Sequence, residues 1–269
     1  MKNNSINEKV ELIDKNDNEQ KEKEDENEEK EEENYKIEHN LNKESIYDQS
    51  IKVILLGDCM VGKTSIINRL CKEKFDDNLG ATIAIECHNY LVKVNKEYTI
   101  RMQIWDTVGQ EKYNSIVQNY YQNTDIGIYV YSIDNLQSFN RISDWMTNSE
   151  ENNVKSENNQ MKCILLGNKK DLGDEKRKVS YSQGEDFAKE NNFFIFKEIS
   201  CKDNDEDEKN NLIDIFDEIA KVFYEDYKQR RSSNLSDSLK YVASNSMMEI
   251  MEISKKGNKK KTKKKKKCC

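Results

Sequence analysis

A glycine-rich stretch with a lysine and a hydroxyl residue, GDCMVGKTS at 57–65, follows the apolar run IKVILL at 51–56. Its spacing is G-x-x-x-x-G-K-[ST], in which the glycines let the backbone curl until successive N–H groups face phosphate oxygens. Lys63 adds positive charge at that point, and the Thr64 hydroxyl can reach Mg²⁺. We therefore predict a phosphate-binding loop formed by Gly57, Asp58, Cys59, Met60, Val61, Gly62, Lys63, Thr64 and Ser65.

The phosphate loop alone is compatible with an ATPase, a kinase of small molecules or a GTPase. A second motif, NKKD at 168–171, directly follows the apolar run KCILLG. The carboxylate of Asp171 can accept hydrogen bonds from the N1–H and the exocyclic amine of guanine, which adenine does not offer. Asn168, Lys169 and Asp171 are therefore predicted to select a guanine nucleotide.

A third motif, WDTVGQE at 105–111, supplies a carboxylate, a glycine and a glutamine in order. Asp106 is placed to hold Mg²⁺ through water, Gly109 to offer its N–H to a terminal phosphate, and Gln110 to orient an attacking water. All three motifs follow apolar strands, where an open α/β sheet binds ligands. The combination predicts hydrolysis of GTP, with Mg²⁺, Lys63 and Gln110 as its main parts.

Apolar strands that alternate with amphipathic segments indicate an α/β fold with a mostly parallel, six-stranded sheet and helices on both faces. The strands are predicted at 51–56, 84–94, 97–105, 127–133, 162–167 and 193–199. The last helix has one apolar stripe at three- and four-residue steps. This stripe contains Leu212, Phe216, Ile219, Ala220 and Phe223.

Charge divides the chain into three parts. Residues 1–50 carry 17 acidic and 8 basic side chains, a net charge of -9, and the lysine run at 255–267 contains ten lysines. Segments so charged and so poor in apolar residues do not bury a core. We predict a disordered acidic extension at 1–45, a folded domain at 46–230 and a flexible tail at 231–269.

Export and membrane crossing are not predicted. The chain contains no run of 18 apolar residues and no apolar core of a signal peptide. Five of the seven cysteines are scattered without metal-ligand spacing, which favours free thiols in a reducing compartment.

The motifs GDCMVGKTS, WDTVGQE, NKKD and SCK resemble the nucleotide-binding boxes of the Ras superfamily of small GTPases, over about residues 47–228. Within that superfamily the chain is most similar to the Rab family, through QIWDTVGQEKYNSI, NYYQNTDIGIYVYSID and the terminal Cys268-Cys269 pair. The resemblance implies a P-loop fold and a GTP/GDP switch with Mg²⁺. It also implies slow hydrolysis and recruitment of effectors in vesicle trafficking.

Further site residues follow only from the resemblance. Thr82 would bind Mg²⁺ and the γ-phosphate, Phe75 would pack on the guanine edge, and Ser200, Cys201 and Lys202 would complete the base pocket. Trp105 and Tyr120 match two of three aromatic positions through which Rab proteins meet effectors. Five positions depart from the usual Rab residues, and they are Leu79, Ala84, Cys87, Val108 and Cys201.

The resemblance also implies partners and a location. These partners are an exchange factor, a GTPase-activating protein, effectors, a prenylation escort protein and a GDP-dissociation inhibitor, with no nucleic acid. Lipidation of Cys268 and Cys269 beside the lysines would hold the protein on the cytoplasmic face of intracellular membranes, with a cytosolic pool. Plain exposed thiols, and a lysine run that is a solvated tail or a nuclear-import signal, are the alternatives.

Two other functions remain open on the sequence. Val108 is β-branched and adjoins Gly109, so it crowds the backbone that must move toward the γ-phosphate, and we predict that it slows hydrolysis. The chain could then be a hydrolysis-impaired, GTP-loaded scaffold, although Gln110 argues against this. A nuclear GTP-binding protein with unmodified cysteines is the other alternative.

Overall fold

A computed structural model describes residues 35–39, 46–109, 120–153, 160–202, 207, 209 and 211–232. The chain divides into two compact units between Lys36 and Ile37. The second unit contains the sheet and the predicted nucleotide-binding motifs. Across the described ranges, no helix is both long and apolar enough to cross a bilayer.

Seven strands form one sheet in the order β1-β3-β4-β2-β5-β6-β7. β2 pairs in parallel with β4 and β5, and β5, β6 and β7 continue the parallel part. β3 is antiparallel to β4 and to β1. The mostly parallel α/β sheet is therefore confirmed, with one more strand than predicted. The strands are β1 Ile37–His39, β2 Gln49–Leu56, β3 Glu86–Val94, β4 Tyr98–Asp106, β5 Ile126–Ser132, β6 Lys162–Asn168 and β7 Ile195–Ile199.

Within the described part of the chain, five helices lie between strands and a sixth follows β7, and two of these helices have a side-chain N-cap. Ser180 and Gln183 form a reciprocal capping box at the start of α5, and the Asn135 side chain caps α2. A short 3₁₀ turn at Lys170–Leu172 follows β6. The helices are α1 Lys63–Lys72, α2 Leu136–Asn140, α3 Ile142–Asn152, α4 Gly173–Lys176, α5 Tyr181–Glu190 and α6 at 211–232.

The core lies on both faces of the central strands. All seven residues of β5 are buried, which explains why its sequence is continuously apolar rather than alternating. The apolar stripe predicted for the last helix is buried along α6. Each buried Leu, Ile or Phe side chain of the stripe contributes about 1.5–3 kcal/mol on leaving water. The central strands are therefore fixed rigidly, and their carboxyl ends can position the residues that follow them.

The predicted acidic extension at 1–45 contains a short strand near its carboxyl end. Ile37–His39 forms the edge strand β1, in which Ile37 lies opposite Val94. The His39 ring places Nδ1 3.0 Å from the Tyr90 hydroxyl and Nε2 3.3 Å from Oδ1 of Asp217 on α6. The average charge of residues 1–50 does not indicate this strand, because the strand has only three residues and its pairing partners lie far along the chain.

Candidate functional site

The phosphate loop connects β2 to α1, as predicted, and two of its glycines cannot be replaced without strain. Gly57 has φ +140°, and a Cβ there would lie 2.2 Å from the Val130 carbonyl oxygen. Gly62 has φ +103°, and its Cβ would lie 2.1 Å from Nδ2 of Asn168. Both φ values lie where L side chains are disfavoured. The glycines therefore let the loop pack tightly against β5 and β6.

Lys63, the first residue of α1, is 5% exposed. Its Nζ donates to the carbonyl oxygens of Gly57 at 2.8 Å and Asp58 at 2.9 Å, so the side chain curls back across the loop. Burial lowers the pKa of Lys63 to about 8, against the opposing field of Asp106. An ammonium that has lost this much hydration gains strongly from an anionic partner.

Three oxygen-bearing side chains meet beside the phosphate loop. The Thr64 hydroxyl oxygen lies 2.6 Å from Oδ2 of Asp106, to which it donates, and 2.6 Å from the Thr82 hydroxyl oxygen. The other carboxylate oxygen of Asp106, Oδ1, is buried and has no hydrogen-bond partner among the described residues. Burial raises the pKa of Asp106, while the Thr64 hydrogen bond and Lys63 oppose that shift.

The same three oxygens fit a magnesium ion. They are hard ligands, and Mg²⁺ sites in nucleotide-binding proteins commonly use only one or two carboxylates and leave the other positions to water and phosphate. The buried free oxygen of Asp106 has a desolvation cost that a cation would offset. Among the described residues there is no cluster of three or more His, Cys, Asp or Glu side chains that could hold a metal ion.

Gly109 lies against the backbone of the phosphate loop. A Cβ at this position would come within 2.5 Å of backbone atoms of Asp58 and Cys59. The Thr107 hydroxyl holds this segment in place by donating to the Leu55 carbonyl oxygen at 2.5 Å. Val108, between Thr107 and Gly109, is buried with 5% exposure. The segment after β4 can therefore bring a backbone N–H to the phosphate site only with glycine at 109.

The residues that would read the base are tied to each other and to the phosphate loop. Asn168 Nδ2 donates to the Val61 carbonyl oxygen at 2.9 Å. The Ser200 hydroxyl donates to Oδ1 of Asp171 at 2.8 Å and accepts the N–H of Lys202 at 3.2 Å. The Asp171 carboxylate is thus held in one orientation with its remaining lone pairs free for donors on a ligand.

A cavity of about 270 Å³ opens over these groups. Most of the predicted nucleotide-binding residues line it: Cys59, Met60, Gly62, Lys63, Thr64, Ser65, Phe75, Thr82, Gly109, Asn168, Lys169, Asp171, Cys201 and Lys202. Sequence reasoning missed six further lining residues, which have no motif of their own and flank Phe75, Thr82 or Asp171. They are Asp76, Asp77, Leu79, Gly80, Ala81 and Leu172, of which Leu79 had been noted only as a departure from the Rab pattern.

Other predicted site residues lie beside the cavity rather than in its lining. Four of them support the cavity through the close backbone approach and the hydrogen bonds described above. They are Gly57, Val61, Asp106 and Ser200. The Asp58 carboxylate accepts from the Trp145 indole N–H at 3.0 Å and lies 3.4 Å from Nε of Arg141. It therefore fastens the loop to α3. Gln110, Cys268 and Cys269 lie outside the described residues.

The two predicted effector-contacting aromatics are in contact with each other. The Trp105 and Tyr120 rings have centroids 5.3 Å apart, and Lys52 Nζ lies 5.2 Å from the Trp105 ring centroid. Cys87 lies opposite Trp105 in the β3–β4 ladder and is exposed. The position at which the third aromatic is usual thus adjoins this pair, with a small thiol in its place.

Comparison with known proteins agrees with this geometry. The model of the Ras family matches residues 52–225. The Ras-related protein Rab-30 of Homo sapiens is 35% identical over 163 residues, which cover 61% of this chain and 77% of that protein. Ras-related protein Rab-11B of Dictyostelium discoideum is 34% identical over 178 residues, or 66% of this chain and 76% of that protein. The GTP-binding protein yptV2 of Volvox carteri is 39% identical over 158 residues, or 59% and 70%.

The family match at 52–225 includes all the predicted nucleotide-binding motifs. The predicted resemblance is therefore confirmed at the level of the family. The chain belongs to the Ras family of small GTPases, and within it to the Rab-like proteins that bind and hydrolyse GTP.

Proposed function

We propose that this protein is a GTP/GDP switch of intracellular vesicle trafficking, which hydrolyses GTP slowly and recruits effectors while GTP is bound. The observation that carries the proposal is the convergence of three separate motifs on one cavity. The phosphate loop, the Thr64–Thr82–Asp106 oxygens and the Asp171–Ser200 pair all belong to the cavity or its direct support. A guanine nucleotide with a magnesium ion matches that combination of groups.

In this proposal the residues of the chain bind and orient rather than form a covalent intermediate. Lys63 neutralises phosphate charge, and the backbone N–H groups of the phosphate loop surround the phosphate oxygens. Gln110 orients the attacking water. Thr64, Thr82 and Asp106 would hold Mg²⁺, which would supply positive charge beside the phosphate oxygens.

The switch itself depends on Thr82 and Gly109. Both line the cavity, and each belongs to a segment outside the helices and strands of the fold. Loss of the γ-phosphate would remove the partner that holds both segments, so the surface they form with GTP would be lost after hydrolysis. The intrinsic rate expected for such a site is on the order of 10⁻⁴ s⁻¹, so a GTPase-activating protein would set the lifetime of the GTP state.

The effector surface is proposed to include Trp105, Tyr120 and Cys87. The contact between the two aromatic rings and the position of Cys87 beside them support this assignment. A thiol buries less apolar area than a phenyl ring, so effectors that need three aromatic contacts would bind weakly. The protein would therefore select effectors that do not require the third ring.

Membrane attachment is proposed to occur through lipid groups on Cys268 and Cys269, assisted by the lysine run at 255–267. One lipid chain gives marginal membrane residence, whereas two lipids, or one lipid and a basic segment, anchor a protein stably. The proposal includes the cytoplasmic face of intracellular membranes, a cytosolic pool, and the escort, inhibitor, exchange and activating proteins that such a cycle needs.

A second candidate function is a GTP-loaded scaffold with negligible hydrolysis. The observation that favours it is the burial of Val108 beside Gly109, which limits how far the backbone can adjust there. The presence of Gln110 favours the hydrolysing switch instead.

One experiment separates these functions. The full-length protein is loaded with GTP and Mg²⁺, and phosphate release is followed beside the Gln110→Leu variant. Slow release that the variant abolishes supports the switch. Tight GTP binding without release supports the scaffold, and failure to bind any guanine nucleotide contradicts both.

A further inference from the structure

Two ion pairs fasten the loop after α1 to the segment after β7. Glu73, which ends α1 with φ +55°, has its Oε2 2.8 Å from Nζ of Lys209. Asp77 has its Oδ1 2.9 Å from Nζ of Lys202. We call these four residues the base-side clamp. The partners are separated by 136 and 125 residues, so the clamp exists only in the folded chain.

Phe75 lies midway between the two clamped positions and lines the cavity. Residues 73–78 belong to no helix or strand, so no backbone ladder fixes their path. Within the loop, a local turn is made by the N–H of Asn78, which donates to Oδ1 of Asp76 at 2.9 Å. The side-chain pairs at Glu73 and Asp77 are therefore the long-range contacts best placed to keep Phe75 over the cavity.

The other half of the clamp is attached to the base-reading group. The Lys202 N–H donates to Ser200, whose hydroxyl donates to Asp171. Asp77, Lys202, Ser200 and Asp171 thus form one continuous chain of contacts. Displacement of the loop must break one of these contacts. The weakest is the ion pair between Asp77 and Lys202, because their side chains are 66% and 56% exposed.

We propose that the base-side clamp holds the Phe75 loop against the guanine end of the cavity and thereby slows dissociation of the bound nucleotide. This inference rests on the proposed function, since it assigns the guanine base to the Asp171 end. Glu73, Asp77 and Lys209 act as positioning residues, because they act through Phe75. An exchange factor that competes for either pair would open the pocket at this end.

Charge makes the clamp sensitive to salt. The hydrogen bond from Lys209 lowers the pKa of Glu73, and the hydrogen bond to Asp77 raises the pKa of Lys202. Both pKa shifts favour the ionised forms of Glu73 and Lys202. Because all four side chains are solvent-accessible, their attraction is screened as the Debye length falls from roughly 14 Å near 0.05 M salt to roughly 4 Å near 0.5 M.

The test measures the release of a fluorescent N-methylanthraniloyl GDP from the full-length protein, chased with excess unlabelled GDP in the presence of Mg²⁺. Glu73→Gln and Asp77→Asn each remove one charge and keep the side-chain shape. Each substitution is expected to raise the release rate about two- to fivefold, the range typical of surface ion pairs. The charge-swapped double variant Glu73→Lys with Lys209→Glu should return the rate close to that of the unmodified protein.

A matched control is available on α5. The Lys189–Glu185 pair has the same N–O distance as the Asp77–Lys202 pair, 2.9 Å, and its side chains are exposed to a similar degree. Neither Lys189 nor Glu185 lines the cavity. Glu185→Gln should leave release unchanged.

Salt gives a second readout that a general loss of stability would not reproduce. Release from the unmodified protein should speed up between about 0.05 M and about 0.5 M salt, and the Glu73→Gln, Asp77→Asn double variant should lose most of that dependence. Equal release rates and equal salt dependence in the double variant and the unmodified protein would overturn the clamp. Absence of GDP binding by the unmodified protein would instead overturn the proposed function.

Discussion

The hydroxyl of Thr64 donates to the carboxylate of Asp106 across 2.6 Å, although 42 residues separate them. Thr64 is the second residue of α1 and Asp106 is the last residue of β4, so the contact joins the phosphate loop to the segment that leads to Gly109. The buried second oxygen of Asp106 is left for another partner. This pair therefore links the positions of the two motifs, and a bound Mg²⁺ would be coupled to both.

Removal of the Thr64 hydroxyl should uncouple nucleotide binding from magnesium. In the unmodified protein, chelation of Mg²⁺ is expected to speed GDP release by more than tenfold, because Thr64 and Asp106 lose the ion that offsets their burial. Thr64→Val keeps the shape without the hydroxyl, so its release should be fast already and respond less than about twofold to chelation. Thr64→Ser serves as the control that keeps the ligand. An equal chelator effect in Thr64→Val would show that Thr64 is not a ligand.

Asp171 should decide the choice of base. Asp171→Asn replaces two acceptor oxygens with one acceptor and one donor, so the guanine N1–H and amine lose a partner. The affinity for GTP should fall by at least about a hundredfold, and xanthosine triphosphate, whose C2 carbonyl accepts a hydrogen bond, should bind better than GTP. Competition against a fluorescent nucleotide measures both. Ser200→Ala should give a smaller loss, since it frees the carboxylate without altering it.

Val108→Ala should raise the rate of intrinsic GTP hydrolysis. Alanine removes the β-branch beside Gly109, which packs directly on the phosphate loop, and so eases the motion of its N–H toward the γ-phosphate. Single-turnover phosphate release at saturating Mg²⁺ measures the effect. Rates that agree within about twofold would mean that Val108 does not slow hydrolysis.

The edge strand β1 should stabilise the folded domain. Deletion of residues 1–45 removes the strand and the His39 contacts with Tyr90 and Asp217, whereas deletion of residues 1–36 keeps them. The longer deletion should lower the free energy of unfolding by about 1–2 kcal/mol relative to the shorter one, as expected for lost strand pairing and a partly buried carboxylate that loses its contact with His39. Urea titration of both proteins bound to GDP measures this difference. Equal midpoints would contradict it.

The ion pair between Arg177 and Glu198 should also stabilise the folded domain. Two hydrogen bonds of 2.6 and 2.8 Å join the guanidinium to the carboxylate, and the Glu198 side chain is only 4% exposed. Arg177→Met should cost about 2–3 kcal/mol, less than a fully buried pair because Arg177 is 19% exposed. The double variant Arg177→Met with Glu198→Gln should recover part of this loss in thermal unfolding. If the double variant were as unstable as the sum of the single variants, the pairing would not be the cause.

Local spacing was sufficient to predict the parts of the site that need a particular backbone path. The loop from Gly57 to Thr64 must curl in one way, and only a few residue types allow it. The strands around it were predicted within a few residues because a sheet covered on both faces requires continuous apolar segments. The family and the fold can be predicted from these features because each one is formed by residues that are neighbours in the sequence.

Tertiary structure alone decided the contacts between charged or polar residues far apart in the chain. The Glu73–Lys209 and Asp77–Lys202 pairs, and the His39–Asp217 contact that secures β1, involve residue types that are common on any surface of this highly charged chain. The spacing of residues along the sequence does not predict these contacts, since each one joins two segments that meet only in the folded domain. Asp58 shows the same limit, because the motif predicted its place in the loop but not that its side chain accepts from the Trp145 indole N–H.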